Sequence, residues 1–165
     1  MAGSRLSTAA LLAALVTAVL TPGGSALAEE EASPTLMAVE RSARCLATLD
    51  ADPTFATLRE RIPTGPLMGA SHIGNPDRPD AAERAVLRRY RDSAMLCAPV
   101  FDGKATGKAA TLVRLIRDGW MEQTRALNQL AEGNIGWSDY NRITLLLDRR
   151  VYLAVEDLMR QPDDF

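Results

Sequence analysis

Cys45 and Cys97 are the only cysteines in this 165-residue chain, and what they can do depends on the compartment they meet. In an oxidising compartment a lone pair in one domain forms a disulfide; in a reducing one it stays as thiols. No C-x-x-C arrangement is present to depress a thiol pKa and favour nucleophilic or redox chemistry. Closing a loop of about 50 residues stabilises a fold by about 4 kcal/mol through the entropy lost by the unfolded chain. The pair therefore reads as a structural staple, provided the protein is exported.

The other chemistry-bearing residues form no recognisable constellation. His72 is the only histidine, whereas a His-based metal site gathers several ligands of suitable type. Asp77 or a loop carbonyl could join it, but no spacing supports this, and a solvent-facing loop histidine is expected. No C-x-x-C-H occurs, which excludes covalent haem attachment. A haem held by His72 and a methionine has no support, because His72 lies in a proline-rich loop and not on a bundle helix. Met37, Met68, Met95, Met121 and Met159 are scattered, which suits core filling better than soft-metal binding.

With 21 acidic residues in the chain, pairs such as Glu156-Asp157 and Asp163-Asp164 arise by accident and do not mark an acid–base site. There is no G-x-S-x-G to present a hydroxyl nucleophile. The run from Gly103 to Lys108 is not a phosphate-cradling loop, because Ala109 stands where serine or threonine must follow the lysine. No metal, cofactor or catalytic residue is expected, and the chain reads as non-enzymatic.

Charge adds little. The formal net charge is −2, and generic nucleic-acid binding needs a basic footprint. Arg84, Arg88, Arg89 and Arg91 crowd one helix, but Asp80–Arg84 and Arg88–Asp92 at i,i+4 make a solvated, partly neutralised face. Arg142 sits in the first turn of the last helix, where a cation opposes the helix dipole. It is expected to pair with an acid on another helix.

The compartment is set by residues 1–28. Arg5 and the amino terminus supply a positive start, Leu6 to Leu20 an apolar core, and Pro22-Gly23-Gly24 a break. Ala26-Leu27-Ala28 then matches the small-x-small cleavage pattern of an export signal, cut after Ala28. The apolar run is too short for a membrane-spanning helix, and no cysteine near the cut indicates a lipid anchor. Only Lys104 and Lys108 among 19 basic residues are lysines. With abundant alanine, that bias reads as a GC-rich bacterial origin and makes the periplasm the expected address, with secretion as the alternative.

Residues 29–165 then form one domain, with 29–33 expected to be disordered. Ser33-Pro34 opens a first helix, whose stripe is Leu36, Val39, Ala43 and Leu46. Asp52-Pro53 repeats the cap-and-proline signal, so the first helix is kinked or split near 50–53, with Phe55, Leu58 and Ile62 on the second piece. Residues 63–79 hold too many prolines and glycines for a regular helix. A loop this long is expected to be functional or mobile; Leu67, Met68 and Ile73 suggest that part of it packs back on the body, and in a ligand carrier it would act as a lid.

Asp80 and Glu83 form a capping box for a helix carrying Val86, Tyr90, Ala94, Cys97 and Phe101. A longer helix spans roughly 105–132, with Ala109, Val113, Ile116, Trp120, Leu127 and Leu130 inward. Gly133 caps it in the left-handed conformation. Ser138 caps the last helix, which carries Tyr140, Ile143, Leu147, Val151, Ala154 and Leu158. Short connections between long amphipathic helices give an all-α fold: an antiparallel four-helix bundle with one disulfide and one long Pro/Gly-rich loop.

Two stretches carry a resemblance. Leu130-x-x-Gly133-x-Ile135-x-Trp137-Ser138-x-Tyr140-Asn141-Arg142 resembles a helix–turn–helix corner of small exported all-helical proteins of proteobacteria. Cys45-Leu46-x-x-Leu49-x-x-Asp52-Pro53-x-Phe55 resembles theirs as well. The resemblance implies a compartment and a fold, and no activity or functional residue.

A metal or haem protein is a third reading that colourless, metal-free material would dismiss; two functions stand ahead of it. The first is binding to another envelope protein, through Leu67, Met68, His72 and Ile73 of the loop and Ile135, Trp137 and Tyr140 of the corner. The second is carriage of a small apolar ligand or lipid in a pocket between the helices. Trp137 is expected to plug the corner; an exposed Trp137 would instead favour the first, and a filled core would exclude the second.

Overall fold

The computed structural model describes residues 34–63 and 68–161, and all of their regular structure is helical. The predicted export signal at 1–28, the stretch 29–33, Leu67 and the prolines at 66 and 162 lie outside the described residues. Among the described residues no helix is long and apolar enough to cross a membrane.

Helix α1 runs Pro34–Ala51, a 3-10 turn covers Pro53–Phe55, and α2 follows at Ala56–Arg61. The split falls where Asp52-Pro53 places it. The Asp52 carboxylate accepts the Thr54 N–H at 2.8 Å and caps the turn. Contacts from the Thr54 side chain and N–H hold that carboxyl below its usual pKa.

Helices α3 (Ala70–Gly74), α4 (Ala81–Met95), α5 (Gly107–Ala131) and α6 (Trp137–Arg160) complete the chain. The α4 capping box is present, with Glu83 N–H donating to Asp80 at 2.8 Å and Asp80 N–H to Glu83 at 2.9 Å. However, α4 ends at Met95 and does not continue to Phe101. Pro99 disfavours helical geometry at Ala98 and lacks the N–H that a continuing helix needs.

Helix α5 ends as Gly133 requires. Gly133 has φ +77°, its N–H donates to Leu130 O at 2.9 Å, and Asn134 N–H donates to Gln129 O at 2.8 Å. Residues 132–136 then turn the chain directly into α6, whose cap is Gly136 and not the predicted Ser138: the Gly136 N–H donates to the Asp139 carboxylate at 3.3 Å. Helices α5 and α6 share the most extensive contact of the fold, α4 packs on α5, and α3 packs on α6. An added Cβ at Gly119 of α5 would sit 3.2 Å from Val151 of α6, so this small residue sets their approach.

One core cluster gathers Phe55 and Leu58, Leu87 of α4, Leu127 and Leu130 of α5, and Trp137 and Tyr140 of α6. A second joins Leu46, Ala94 and Cys97 around the Cys45–Cys97 disulfide, whose Cα atoms are 5.4 Å apart. Cys45 itself is exposed and Cys97 buried, so the bridge closes the outside of the α1–α4 contact. Beside it, the Ser42 hydroxyl donates to Cys97 O at 2.6 Å.

The corner between α5 and α6 admits little change. An added Cβ at Gly136 would lie 2.9 Å from the carbonyl oxygen of Asp77, and that oxygen accepts the Trp137 N–H at 3.0 Å. Gly136→Ala is therefore expected to cost roughly 1–3 kcal/mol and to lower the thermal midpoint followed by circular dichroism. An unchanged midpoint would show that the loop yields freely.

Candidate functional site

A half-open cavity of about 580 Å³ is bounded by all four long helices and α2. Phe55, Tyr90, Trp120 and Leu127 give it aromatic and aliphatic walls, while Asp50, Gln123, Thr124 and Asp148 bring polar groups to it. The inward faces of α5 and α6 that line it are partly polar. On α5 the apolar stripe skips a turn between Trp120 and Leu127, and Gln123 and Thr124 occupy the gap. On α6 the buried face carries Tyr140, Asn141, Thr144 and Leu147, with Asp148 half-buried beside them.

Of the predicted α6 stripe, Tyr140, Leu147 and Leu158 are buried and Val151 and Ala154 half-buried, while Ile143 is displaced by Thr144. Ile143 is 37% exposed, and Thr144 takes the inward place, its hydroxyl donating to the Tyr140 and Asn141 carbonyls. This internal hydrogen bonding lets threonine face inward without an unpaired donor.

Electrostatics set the cavity apart from ordinary core. The Tyr90 hydroxyl donates to Asp50 Oδ1 at 2.8 Å. Burial, then the nearby Asp50 charge, pushes the Tyr90 phenol well above its usual pKa. Burial, then the Asp148 charge, does the same to Tyr140, with a hydrogen bond to Gln123 opposing it. Asp148 accepts no hydrogen bond and forms no ion pair among the described residues, and burial raises its carboxyl to about 6. A perturbed carboxyl in a cavity marks a candidate site.

The sign for stability follows. The folded-state pKa of Asp148 lies above the ordinary 3.8, so the folded chain holds this proton more tightly than the unfolded one. Its burial opposes folding at neutral pH, and the penalty is relieved as pH falls through about 6 towards 4. Asp148→Asn is therefore expected to raise the thermal midpoint near about pH 7.5 and to lose that advantage near about pH 4. A variant less stable than wild type at both would contradict the assignment.

Comparison with known protein families, curated proteins and solved structures finds no match. The site therefore rests on this chain's own geometry.

The candidate contact residues are placed as follows. Leu67 lies outside the described residues, and Met68 lines the cavity. Trp137 and Tyr140 are 1% and 5% exposed, so the corner faces the core and presents neither ring to a partner. Ile135 is half-buried and packs on the same core, and Ile73 is half-buried with its carbonyl accepting the Ser138 hydroxyl. Loop and corner, predicted as two surfaces, pack on each other. Asn141 Nδ2 donates to Arg61 O at 2.9 Å and His72 O at 3.2 Å, and Ser138 N–H donates to Asn75 O. The described part of the loop is thus fastened to α6, unlike a free lid.

His72 is half-buried, not solvent-facing, and its Nδ1 accepts the Gly69 N–H at 3.0 Å. It borders a second, smaller recess of about 210 Å³ with Trp137 and Asn141. The Trp137 Nε1 donor and Asn141 Oδ1 acceptor are buried there without hydrogen-bond partners among the described residues. A polar recess of this size suits ordered water. No group of three or more metal-ligating side chains occurs among the described residues.

The arginines depart from their predicted pairs. Arg91, rather than Arg88, meets Asp92 at 2.8 Å, and Arg84 donates to Pro79 O instead of pairing with Asp80. Arg142 reaches the Ser138 hydroxyl on its own helix at 3.5 Å, where an acid from another helix was expected.

Proposed function

We propose that this protein is an exported small-ligand-binding protein of the bacterial envelope, a carrier whose long helices pack antiparallel as a four-helix bundle around the ligand. The cavity of about 580 Å³ carries this reading. Its size falls within the roughly 300–1,000 Å³ usual for small-molecule sites, and it has the usual makeup of apolar walls with a few convergent polar groups. The Cys45–Cys97 disulfide supports export, because such bridges persist in oxidising compartments.

Native mass spectrometry of the mature protein from a bacterial periplasm tests the proposal. A small-molecule adduct, one per chain and lost on denaturation, is the expected result. A bare polypeptide mass, together with no saturable uptake of apolar probes, would overturn it.

The partner-binding reading draws on one observation, the exposed Leu146 and Leu153 seven residues apart on α6. It requires that the native protein co-purify with an envelope protein that the doubly substituted Leu146→Asp, Leu153→Asp chain fails to retain.

A further inference from the structure

The polar groups of the main cavity form one cluster on one side of its chemistry. Tyr90 donates to Asp50, and the charges of Asp148 and Asp50 both act on the Tyr140 phenol. Tyr90 in turn feels Asp50 and Tyr140. Two carboxylates and two phenols from α1, α4 and α6 therefore share a single neighbourhood within an aromatic-walled space.

The remaining charged groups do not reverse that balance. Helix α2 brings Arg59 and Glu60 to the lining, α4 brings Arg91, and α5 brings no charged side chain. The Arg91 guanidinium is held by Asp92 at 2.8 Å and Asn128 at 3.3 Å. Arg59 donates from Nη2 to the Asp52 carbonyl at 2.8 Å, while its Nε is buried without a hydrogen-bond partner among the described residues. Asp148 is the inward charge with no hydrogen bond or ion pair among those residues.

We infer that the cavity takes a small organic cation, its apolar body against Phe55 and Trp120 and its ammonium head among Asp50, Tyr90, Tyr140 and Asp148. The inference rests on the ligand-binding reading above and names its ligand class. An ammonium or trimethylammonium group gains from desolvated carboxylates and from the faces of aromatic rings. A carboxylate head would instead meet two like charges. Because burial raises the Asp148 carboxyl to about 6, that carboxyl is charged at neutral pH and largely protonated one pH unit below that value.

Isothermal titration of the mature chain with decyltrimethylammonium, decanoate and decanol, all below micelle-forming concentrations, tests the inference. The three share a tail and differ in head charge, and the quaternary ammonium keeps its charge at every pH. Decyltrimethylammonium is expected to bind tightest near about pH 7.5. Its affinity is expected to fall about tenfold near pH 5, as Asp148 is protonated, and by a similar factor in Asp148→Asn. Decanol, the control for an intact cavity, is expected to bind wild type and variant alike.

Decanoate binding as tightly as or more tightly than the cation would overturn the inference and assign the head to the unpaired Arg59 Nε. Equal affinity for all three probes, or a cation affinity indifferent to both pH and Asp148→Asn, would also overturn it while leaving the ligand-binding reading intact. Failure of all three to bind would overturn both.

Discussion

Cys45→Ala is expected to leave Cys97 as a single titratable thiol and to lower the unfolding free energy by about 4 kcal/mol. The bridge spans 52 residues of sequence and ties α1 to the end of α4, so its loss frees a long segment of the unfolded chain. Nothing else covalent joins these helices, although the Ser42–Cys97 hydrogen bond and the Leu46–Ala94 contact remain to hold them in register. The variant should therefore keep its helical circular dichroism while its thermal midpoint falls by more than about 10 °C. Reductant should reproduce the shift in wild type and leave the variant unmoved. Two titratable thiols in denatured, unreduced wild-type protein would contradict the staple.

Trp137→Ala is expected to cost roughly 3–5 kcal/mol, the usual range for removing a large buried aromatic side chain. Trp137 is 1% exposed and sits in the main core cluster, with the Arg61 guanidinium 5.8 Å from its ring centre. It is also where three segments meet: its own N–H is bound to Asp77, and Asn141 one turn along α6 holds the carbonyls of Arg61 and His72. Losing the ring should loosen α2 and residues 68–79 together. Urea unfolding should show the lower stability, and limited proteolysis should find new cleavage near Arg78. A loss under about 1 kcal/mol would mean that the surrounding side chains collapse into the space.

The elements were legible where the signal is local. Asp52-Pro53, the Asp80–Glu83 box and Gly133 each act through a neighbour a few residues away, and each ends or starts a helix where its chemistry requires. The end of α4 was readable too, since Pro99 forbids the extension to Phe101 that apolar spacing suggested. The cavity was harder to see, because a search for apolar stripes discards the residues that make it. Gln123, Thr124, Thr144 and Asp148 look like breaks in the pattern, yet they fall at inward positions and line the space. The seven-residue step from Trp120 to Leu127 was the visible trace of it. Trp137 reads from the sequence as a corner plug and Ile73 as packing back on the body, and both are placed so. That His72 and Ile73 meet the start of α6 was out of reach, because it depends on how α3 packs on α6 across some 65 residues of sequence.

Everything functional in this account depends on the space between the helices being accessible to a ligand. The direct measurement is a fluorescence titration of the neutral apolar probe N-phenyl-1-naphthylamine into wild-type protein and into Thr124→Trp. Thr124 lines the cavity from α5, and a tryptophan there would fill part of the space that a ligand needs. Wild type is expected to bind the probe saturably, one molecule per chain, and Thr124→Trp to bind it at least about tenfold more weakly with its helical spectrum intact. Absence of saturable binding to wild type, or equal binding to a folded Thr124→Trp chain, would contradict the account.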